Sequence, residues 1–284
     1  MPKLTDVSTI RDLCARYDFS LSKGFGQNFI VNPGVCPKIV EAAGIDKSWG
    51  VLEVGPGIGV LTRELAQRAG KVVAVEVDER LPALLQETMG DCENFRLVMG
   101  DVLKIDLAAL LRKEFGEMPV AVCANLPYYI TSPILMRLLE EKLPIRHITV
   151  MVQKEAAERI TAAPGTRLAG AISYGVYYYA EPRLLFHVQP GSFYPPPKVT
   201  SSVIQLKIRP RPAVDTPDEA GLFRLVRAAF SQRRKTAANS VASGLGVEKA
   251  RVAKALEQAG LPAAVRPEQL TLEDFCALQK ALEN

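Results

Sequence analysis

Four residues that follow one apolar run have the types needed for group transfer: Asn125, Leu126, Pro127 and Tyr128. The side-chain oxygen of Asn125 and the main-chain carbonyl of Leu126 can accept hydrogen bonds from the two N–H bonds of an aromatic amine. Such bonds favour a more tetrahedral nitrogen as its lone pair attacks a methyl group on a sulfonium sulfur. Pro127 stiffens the turn, and the ring of Tyr128 offers a flat face for stacking a base. The same residue types also form ordinary turns, so the position of the motif in the chain matters.

A glycine-rich turn lies upstream, in Val51-Leu-Glu-Val-Gly-Pro-Gly-Ile-Gly, between an apolar run and a helical pattern. Gly55 and Gly57 allow the backbone to approach a ligand closely, and Gly59 allows the helix to pack tightly on the strand. The pattern is G-x-G-x-G, because Val60 stands where the dinucleotide fingerprint G-x-G-x-x-G requires a glycine. Taken alone, it is compatible with a ligand site or with a merely structural turn.

Two carboxylates follow the next two apolar runs, Glu76 and Asp101. Glu76 lies about 20 residues after the glycines, where an acidic side chain can accept hydrogen bonds from both ribose hydroxyls. Asp101 can accept a hydrogen bond from the adenine amine of a bound nucleoside. Either one alone is often a solvated carboxylate or a helix cap. Because ligands of such sheets bind beyond the carboxyl ends of the strands, the three strand ends together predict a nucleoside site.

Short β-branched runs alternate with helix-like stretches, a pattern typical of an α/β fold whose sheet is covered on both faces. No helix fits between the last two runs, so the final pair is expected to be antiparallel and the seven-stranded sheet mixed. The candidate strands are Val51–Val54, Val72–Val75, Phe95–Met99, Val120–Ala124, Ile148–Val152, Leu184–Val188 and Val203–Ile208. The helical candidates between them include Val60–Arg68, Leu81–Glu87, Ser132–Glu140 and Ala169–Tyr179.

The chain is predicted to contain two domains, residues 1–208 and 219–284. The segment 209–218 is rich in proline and lacks apolar periodicity, so it is predicted to be a linker. No strand pattern follows it, which predicts a small all-α domain, with Thr271 or an adjacent residue as a helix cap. Basic residues without intervening acids concentrate in the last third of the chain, where they favour either nucleic-acid binding or a solvated helix face.

The composition indicates a soluble cytoplasmic protein with reduced thiols. The 284 residues carry a formal charge of +4 and 48% hydrophobic residues, and no apolar run is long enough to span a membrane. The five cysteines are scattered without metal-ligand or disulfide spacing. The two histidines, His147 and His187, also lack partners with ligand spacing, so we expect no metal site.

These motifs together resemble the rRNA adenine N6-dimethyltransferases, the family that contains KsgA and the Erm resistance methyltransferases. The resemblance covers essentially the whole chain and begins at Lys23-Gly-Phe-Gly-Gln-Asn-Phe-Ile. It implies a Rossmann-like class I methyltransferase fold with S-adenosylmethionine as methyl donor. The residues that it implies for donor binding are Gln27, Asn28, Ile30, Gly55, Gly57, Glu76, Asp101 and Asn125. Asn125 to Tyr128 match the catalytic motif, and Phe193 matches a second aromatic face around the target base.

The motifs Phe230-Ser-Gln-Arg-Arg-Lys-Thr and Leu270-Thr-Leu-Glu-Asp-Phe favour the KsgA-like members. The resemblance then implies dimethylation of two adjacent adenosines in a loop near the 3′ end of 16S rRNA, within an immature small ribosomal subunit. Loop bases can be splayed out at modest cost, and a basic helical domain would hold the phosphates. Arg233, Arg234 and Lys235 are the candidates for that contact, and we expect a monomer.

Three other functions are compatible with parts of the sequence. An Erm-like enzyme would modify large-subunit (23S) rRNA. A ribosome assembly factor could keep the methyltransferase fold without catalysis, although Asn125 and Tyr128 argue against this. An NAD-dependent oxidoreductase is favoured only by the glycine turn and Glu76.

Overall fold

The structure is a computed structural model that describes residues 3–19, 28–232 and 234–283. The chain forms two compact units, each made of two segments. Unit 1 comprises Met1–Ala157 and Arg183–Ile208, and unit 2 comprises Glu158–Pro182 and Arg209–Asn284. Residues 158–182 were predicted to lie in the first domain, whereas in the structure they pack with the C-terminal helices.

The strands of unit 1 follow the predicted apolar runs closely. They are β1 (Phe29–Ile30), β2 (Gly50–Val54), β3 (Lys71–Glu76), β4 (Phe95–Met99), β5 (Val120–Asn125), β6 (Ile145–Gln153), β7 (Ala180–Val188), β8 (Phe193–Tyr194) and β9 (Ser201–Ile208). Seven of them form one sheet in the order β4-β3-β2-β5-β6-β9-β7. The strands β2 to β6 pair in parallel, while β9 runs antiparallel to β6, so the predicted seven-stranded mixed sheet is confirmed.

Helices precede or follow these strands along the chain, and the last one named here extends into unit 2. They are α1 (Val7–Arg16), α2 (Val35–Ala43), α3 (Val60–Arg68), α4 (Pro82–Met89), α5 (Leu107–Phe115), α6 (Thr131–Glu140) and α7 (Lys154–Ile160). Every residue of β2 is buried, as expected for a central parallel strand with both faces covered. This arrangement brings the carboxyl ends of β2, β3 and β5 to one edge of the sheet.

A second, two-stranded sheet was not predicted. In it β1 pairs antiparallel with β8, with Phe29 opposite Tyr194 and Ile30 opposite Phe193. The pairing joins residues from the two ends of unit 1, and it fixes the backbone of Ile30 beside the sheet edge.

Unit 2 is helical. Its helices are α8 (Ala171–Tyr179), α9 (Glu219–Ala229), α10 (Ala237–Leu245), α11 (Lys249–Gln258) and α12 (Leu272–Glu283). The buried Tyr174 ring packs on Phe230 and Phe275, and its hydroxyl donates to the Leu270 carbonyl at 2.5 Å. These contacts explain why α8 belongs to this unit.

The cap predicted at the last helix is confirmed. Thr271 Oγ1 accepts from the Asp274 amide at 3.1 Å, and the Asp274 carboxylate accepts from the Thr271 amide at 2.8 Å. This reciprocal pair satisfies two donors at the start of α12. Across the described ranges, no helix combines the length and apolarity needed to cross a membrane.

Candidate active site

One pocket gathers most of the residues that the sequence singled out. It lies at the carboxyl ends of the parallel strands, where ligands of open α/β sheets bind. The predicted residues in its lining are Asn28, Ile30, Gly55, Gly57, Glu76, Asp101, Asn125, Leu126, Pro127 and Tyr128. Gln27 lies outside the described residues.

The glycine turn between β2 and α3 forms one wall of the pocket. Gly55, Gly57 and Gly59 have φ values of 69°, 57° and 93°, all in the left-handed region that favours glycine. The Gly55 amide donates to the Val75 carbonyl at 3.0 Å, which ties the turn to the neighbouring strand β3. The turn therefore presents bare backbone to the pocket at Gly55 and Gly57.

Glu76 closes β3 and is held in place by backbone amides. Its Oε1 accepts from the Val77 and Asp78 amides, each at 2.8 Å, and the side chain is buried. Burial raises the pKa of the Glu76 carboxyl, and the backbone hydrogen bonds act in the opposite direction. A carboxylate accepts up to about four hydrogen bonds, so a fixed Glu76 can still accept from both hydroxyls of a ribose.

Asp101 follows β4, which pairs with β3. Its Oδ1 accepts from the Leu103 amide at 2.9 Å, and its Oδ2 lies 3.5 Å from the exposed Lys104 ammonium. This turn keeps the Asp101 carboxylate in the pocket lining. Because β4 is the neighbour of β3, Asp101 lies beside Glu76 along the edge of the sheet. The spacing along the sheet suits a nucleoside whose ribose meets Glu76 and whose base meets Asp101.

The motif that was predicted to be catalytic, Asn125–Tyr128, lies at the end of β5. The Asn125 Nδ2 donates to the Asn28 carbonyl at 3.5 Å, so the amide oxygen faces away from that carbonyl. The Leu126 amide donates to the Met151 carbonyl at 3.1 Å, and Thr131 Oγ1 donates to the Pro127 carbonyl at 3.1 Å. The backbone of the motif is thus anchored to β6 and α6.

The ring of Tyr128 is also fixed. Its hydroxyl lies 2.7 Å from Oγ of Ser201, which is fully buried at the start of β9. Burial raises the pKa of the Tyr128 phenol, so the ring stays neutral over the physiological range. A neutral, oriented ring at the pocket rim is suited to stacking a base.

Phe193 is the predicted site residue that the structure does not bring into the pocket. It lies in β8, opposite Ile30, with 3% of its surface exposed, and it packs in the hydrophobic core. Its backbone supports β1, which carries Ile30, but its ring is not part of the lining.

Glu53 is a lining residue that sequence analysis missed. It lies in β2, two residues before Gly55, and only 1% of it is exposed. The signal was present, because a carboxylate inside a fully buried parallel strand is unusual and requires an explanation.

The described pocket lining contains acidic side chains but no basic ones. Its lining contains the carboxyl groups of Glu53, Glu76 and Asp101, and no Lys, Arg or His among the residues described. Buried carboxyl groups ionise more readily beside a cationic ligand than beside an anionic one. The pocket therefore suits a cationic nucleoside and disfavours a dinucleotide, whose pyrophosphate is an anion.

The basic residues proposed for RNA contact lie in unit 2. Arg234 and Lys235 are exposed, and Arg233 is not among the described residues. On α9, Arg224 and Arg227 are exposed one turn apart on the face opposite the buried residues. Within the described ranges, the side chains of Arg224, Arg227, Arg234 and Lys235 make no ion pair.

Comparison with known proteins gives a consistent result. The model of the family described as ribosomal RNA adenine dimethylase matches residues 18–284. A ribosomal RNA small subunit methyltransferase A from Alkaliphilus metalliredigens is 43% identical over 281 residues, covering 99% of this chain and 98% of that protein. A protein of the same name from Geobacillus thermodenitrificans is 45% identical over 276 residues, covering 96% of this chain and 94% of that protein.

Solved structures agree with the sequence relatives. A dimethyladenosine transferase from Plasmodium falciparum superposes with a TM-score of 0.71 at 26% identity, covering 88% of this chain and 95% of that chain. The 23S rRNA methyltransferase ErmE gives a TM-score of 0.67 at 28% identity, covering 90% of this chain and all of that chain. Because the family match spans nearly the whole chain and the relatives align from end to end, the chain belongs to the ribosomal RNA adenine dimethylase family.

Proposed function

We propose that this chain transfers methyl groups from S-adenosylmethionine to the N6 amines of two adjacent adenosines near the 3′ end of 16S rRNA. The observation that carries the proposal is the single pocket in which the Asn125–Tyr128 motif meets the acidic nucleoside site. The relatives from Alkaliphilus metalliredigens and Geobacillus thermodenitrificans are named for the small ribosomal subunit, which favours that substrate over 23S rRNA. Their identity of 43–45% exceeds the 28% shared with ErmE.

The donor site is assigned to the glycine turn and the acidic strand ends. Glu76 accepts from the ribose, Asp101 accepts from the adenine amine, and Gly55 and Gly57 let the ligand approach the backbone. Asn28, Ile30 and Gln27 of the N-terminal motif complete the set by the family resemblance. The lack of basic groups in the described lining fits the net positive charge of S-adenosylmethionine.

The chain's contribution to transfer is orientation of the target amine. S-adenosylmethionine supplies an electrophilic methyl group whose departure leaves a neutral thioether. The Asn125 oxygen and the Leu126 carbonyl accept the amine hydrogens, and the hydrogen bond from Nδ2 to Asn28 keeps the Asn125 oxygen available. Tyr128 stacks the base, and the proton released from the methylated nitrogen passes to solvent. Asn125 is not a base, so orientation rather than proton abstraction is its role.

Unit 2 is assigned to the RNA backbone. Arg224, Arg227, Arg234 and Lys235 are exposed and carry charges that no acidic group neutralises within the described ranges. Unpaired basic side chains in one unit are available for phosphate contacts, which release counterions. We assign Arg233 the same role from its place in the sequence alone. The functional substrate is the immature small subunit, and the protein acts as a cytoplasmic monomer.

The test is a methyl-transfer assay with radiolabelled S-adenosylmethionine. Unmethylated small subunits, large subunits and naked 16S rRNA are the substrates, and dimethyladenosine is mapped in each. Label at adjacent adenosines of small-subunit RNA is the expected result. Label only in large-subunit RNA would move the assignment to an Erm-like activity. Donor and subunit binding without label would favour an assembly factor.

A further inference from the structure

The loop that carries Asp101 is held by an arginine from another element. Arg137 lies on α6, and its Nη1 and Nη2 donate to the carbonyls of Val102 and Ile105, each at 2.7 Å. Its Nε donates to the Glu141 carboxylate at 2.5 Å, so each of the three guanidinium nitrogens has a partner. The Arg137 side chain is only 19% exposed, so water competes weakly for these hydrogen bonds.

Hydrogen bonds inside the loop shape it without fixing its position. The Leu103 amide donates to Asp101 Oδ1 at 2.9 Å. The Lys104 and Ile105 amides donate to the Asp101 carbonyl, at 2.8 Å and 3.0 Å. All these donors and acceptors lie within one turn and would move together with it. Within the described ranges, no backbone amide donates to the two carbonyls that Arg137 contacts, so its guanidinium is what ties them to a neighbouring helix.

The helix that carries Arg137 is itself firmly placed. It begins at Thr131, three residues after the Asn125–Tyr128 motif, and Thr131 Oγ1 donates to the Pro127 carbonyl at 3.1 Å. Its apolar face is packed into the core by Ile134, Leu135, Leu138 and Leu139. Because packed interiors yield little, α6 is a rigid support. The Asp101 loop therefore takes its position from the same helix that anchors the Asn125–Tyr128 motif.

A displaced loop would affect one part of a bound nucleoside more than the rest. Asp101 and the buried Val102 both line the pocket. A hydrogen bond weakens steeply as its angle and distance depart from the optimum, whereas apolar contacts are not directional. Loss of the support from Arg137 should therefore weaken a hydrogen bond to Asp101 more than it weakens the other contacts of the ligand.

We propose that Arg137 is a positioning residue, which holds the Asp101 carboxylate in place for the adenine amine and so determines the base specificity of the donor site. The inference rests on the proposed function, in which Asp101 accepts from that amine. Arg137 is not in the described pocket lining, and it acts through the carbonyls of Val102 and Ile105.

Calorimetric titration with two ligands measures this specificity. One ligand is S-adenosylhomocysteine, and the other is its 6-deamino analogue, which carries hydrogen in place of the adenine amine. The ratio of the two affinities reports the amine contact alone. Since the acceptor is a carboxylate, the unmodified protein should prefer S-adenosylhomocysteine at least about tenfold. Arg137→Gln, whose shorter side chain cannot reach both carbonyls, should reduce this ratio at least about threefold.

Arg63 offers a matched control on α3. Its side chain is 22% exposed, and it donates to the Thr88 carbonyl and to the Asp91 carboxylate, all outside the pocket lining. Arg63→Gln should lower the urea midpoint of unfolding about as much as Arg137→Gln does. It should leave the affinity ratio unchanged, because the hydrogen bonds that it removes do not hold the Asp101 loop.

A conservative variant should restore the specificity. In Arg137→Lys a single ammonium group can donate to two carbonyls, as Lys47 Nζ does for Ala66 and Ala69 in this structure. The affinity ratio should therefore recover most of what Arg137→Gln loses.

A double variant shows whether Arg137 acts through Asp101. Asp101→Asn should remove most of the preference for the amine, because a charged acceptor is replaced by a neutral one. Arg137→Gln added to Asp101→Asn should then change the affinity ratio little. Glu141→Gln is a milder change, which removes the carboxylate that orients the guanidinium and should lower the ratio about twofold. It replaces Arg137→Gln as the test if that variant does not fold.

An unchanged ratio in Arg137→Gln, or in Glu141→Gln where only that variant folds, overturns the inference and leaves the proposed function standing. An equal fall of the ratio in Arg63→Gln overturns it as well, because general loosening would then be the cause. If Asp101→Asn keeps the full preference, the adenine contact in the proposed function is wrong, and the role of Arg137 fails with it. No detectable binding of S-adenosylhomocysteine by the unmodified protein would overturn the proposed donor itself.

Discussion

Replacing Gly55 by alanine should separate the structural and the ligand-binding roles of the glycine turn. Gly55 has a φ of 69°, and a Cβ added there would meet no atom within 4 Å. The free energy of unfolding should therefore fall only by the cost of holding an alanine in the left-handed conformation, about 1–2 kcal/mol. Because Gly55 lines the pocket, the empty space around that Cβ is where a ligand would lie.

Gly44 supplies the matched control. It ends α2 with φ 64° and ψ 32°, a Cβ there also meets no atom within 4 Å, and it is not in the lining. Gly44→Ala should destabilise the protein by the same 1–2 kcal/mol or so without changing donor affinity. Gly55→Ala should match that loss and also weaken donor binding at least about tenfold, which corresponds to about 1.4 kcal/mol.

Urea unfolding and calorimetric titration with S-adenosylmethionine measure the two quantities separately. A Gly55→Ala variant that binds the donor as tightly as Gly44→Ala would refute the close approach of the ligand to this backbone. A loss of stability well above that of Gly44→Ala would show instead that the space around Gly55 is filled in the folded protein. Gly57→Ala should lose more stability than either, because its Cβ would lie 3.2 Å from the Phe29 ring.

Three further changes test the Asn125–Tyr128 motif and the basic residues of unit 2. Asn125→Ala should lower the rate of methyl transfer about 10²–10³-fold while donor affinity, measured by calorimetry, stays within a factor of ten; unchanged turnover would remove its assigned role. Tyr128→Phe leaves the buried Ser201 Oγ without its 2.7 Å partner and should lower the free energy of unfolding in urea by about 1–3 kcal/mol. Adding Ser201→Ala to the same chain should recover part of that loss. Additive losses would mean that the two hydroxyls are not coupled. Reversal of Arg234 and Lys235 to glutamate should weaken RNA binding and reduce its salt slope by about 1–2 without affecting the donor, and an unaltered slope would place the RNA surface elsewhere.

The elements that the sequence predicted well are those with local signals. Phe95–Met99 and Val60–Arg68 were predicted with the bounds that the structure has, because apolar runs, helical periodicity and glycines delimit them. The pairing of Ile30 with Phe193 could not be predicted, since two-residue strands have no periodicity and their partner is distant in the chain. For the same reason the sequence did not predict that α8 belongs to unit 2, because this depends on long-range contacts from Tyr174.

The role of Phe193 as a second stacking face stays a prediction, because the residue lies outside the described pocket lining. Its match to a family motif suggested a second stacking face, yet its side chain is buried and its backbone pairs with Ile30. An aromatic side chain in a two-residue strand can face the core or the site, and sequence alone does not distinguish the two. Tyr128 differs, because its hydroxyl is tied to Ser201 and its ring stays in the lining.

The choice of cofactor follows from the carboxyl groups more than from the glycines. A glycine turn at the start of a helix exposes backbone amides that suit a phosphate as well as any other ligand. Glu76 is also compatible with either kind of nucleotide, since both contain ribose. Glu53 changes the balance, because a second buried carboxyl group in the same wall can ionise beside a sulfonium but not beside a pyrophosphate. An acidic residue inside the strand before such a turn is therefore the feature that argues here for a methyl donor and against a dinucleotide.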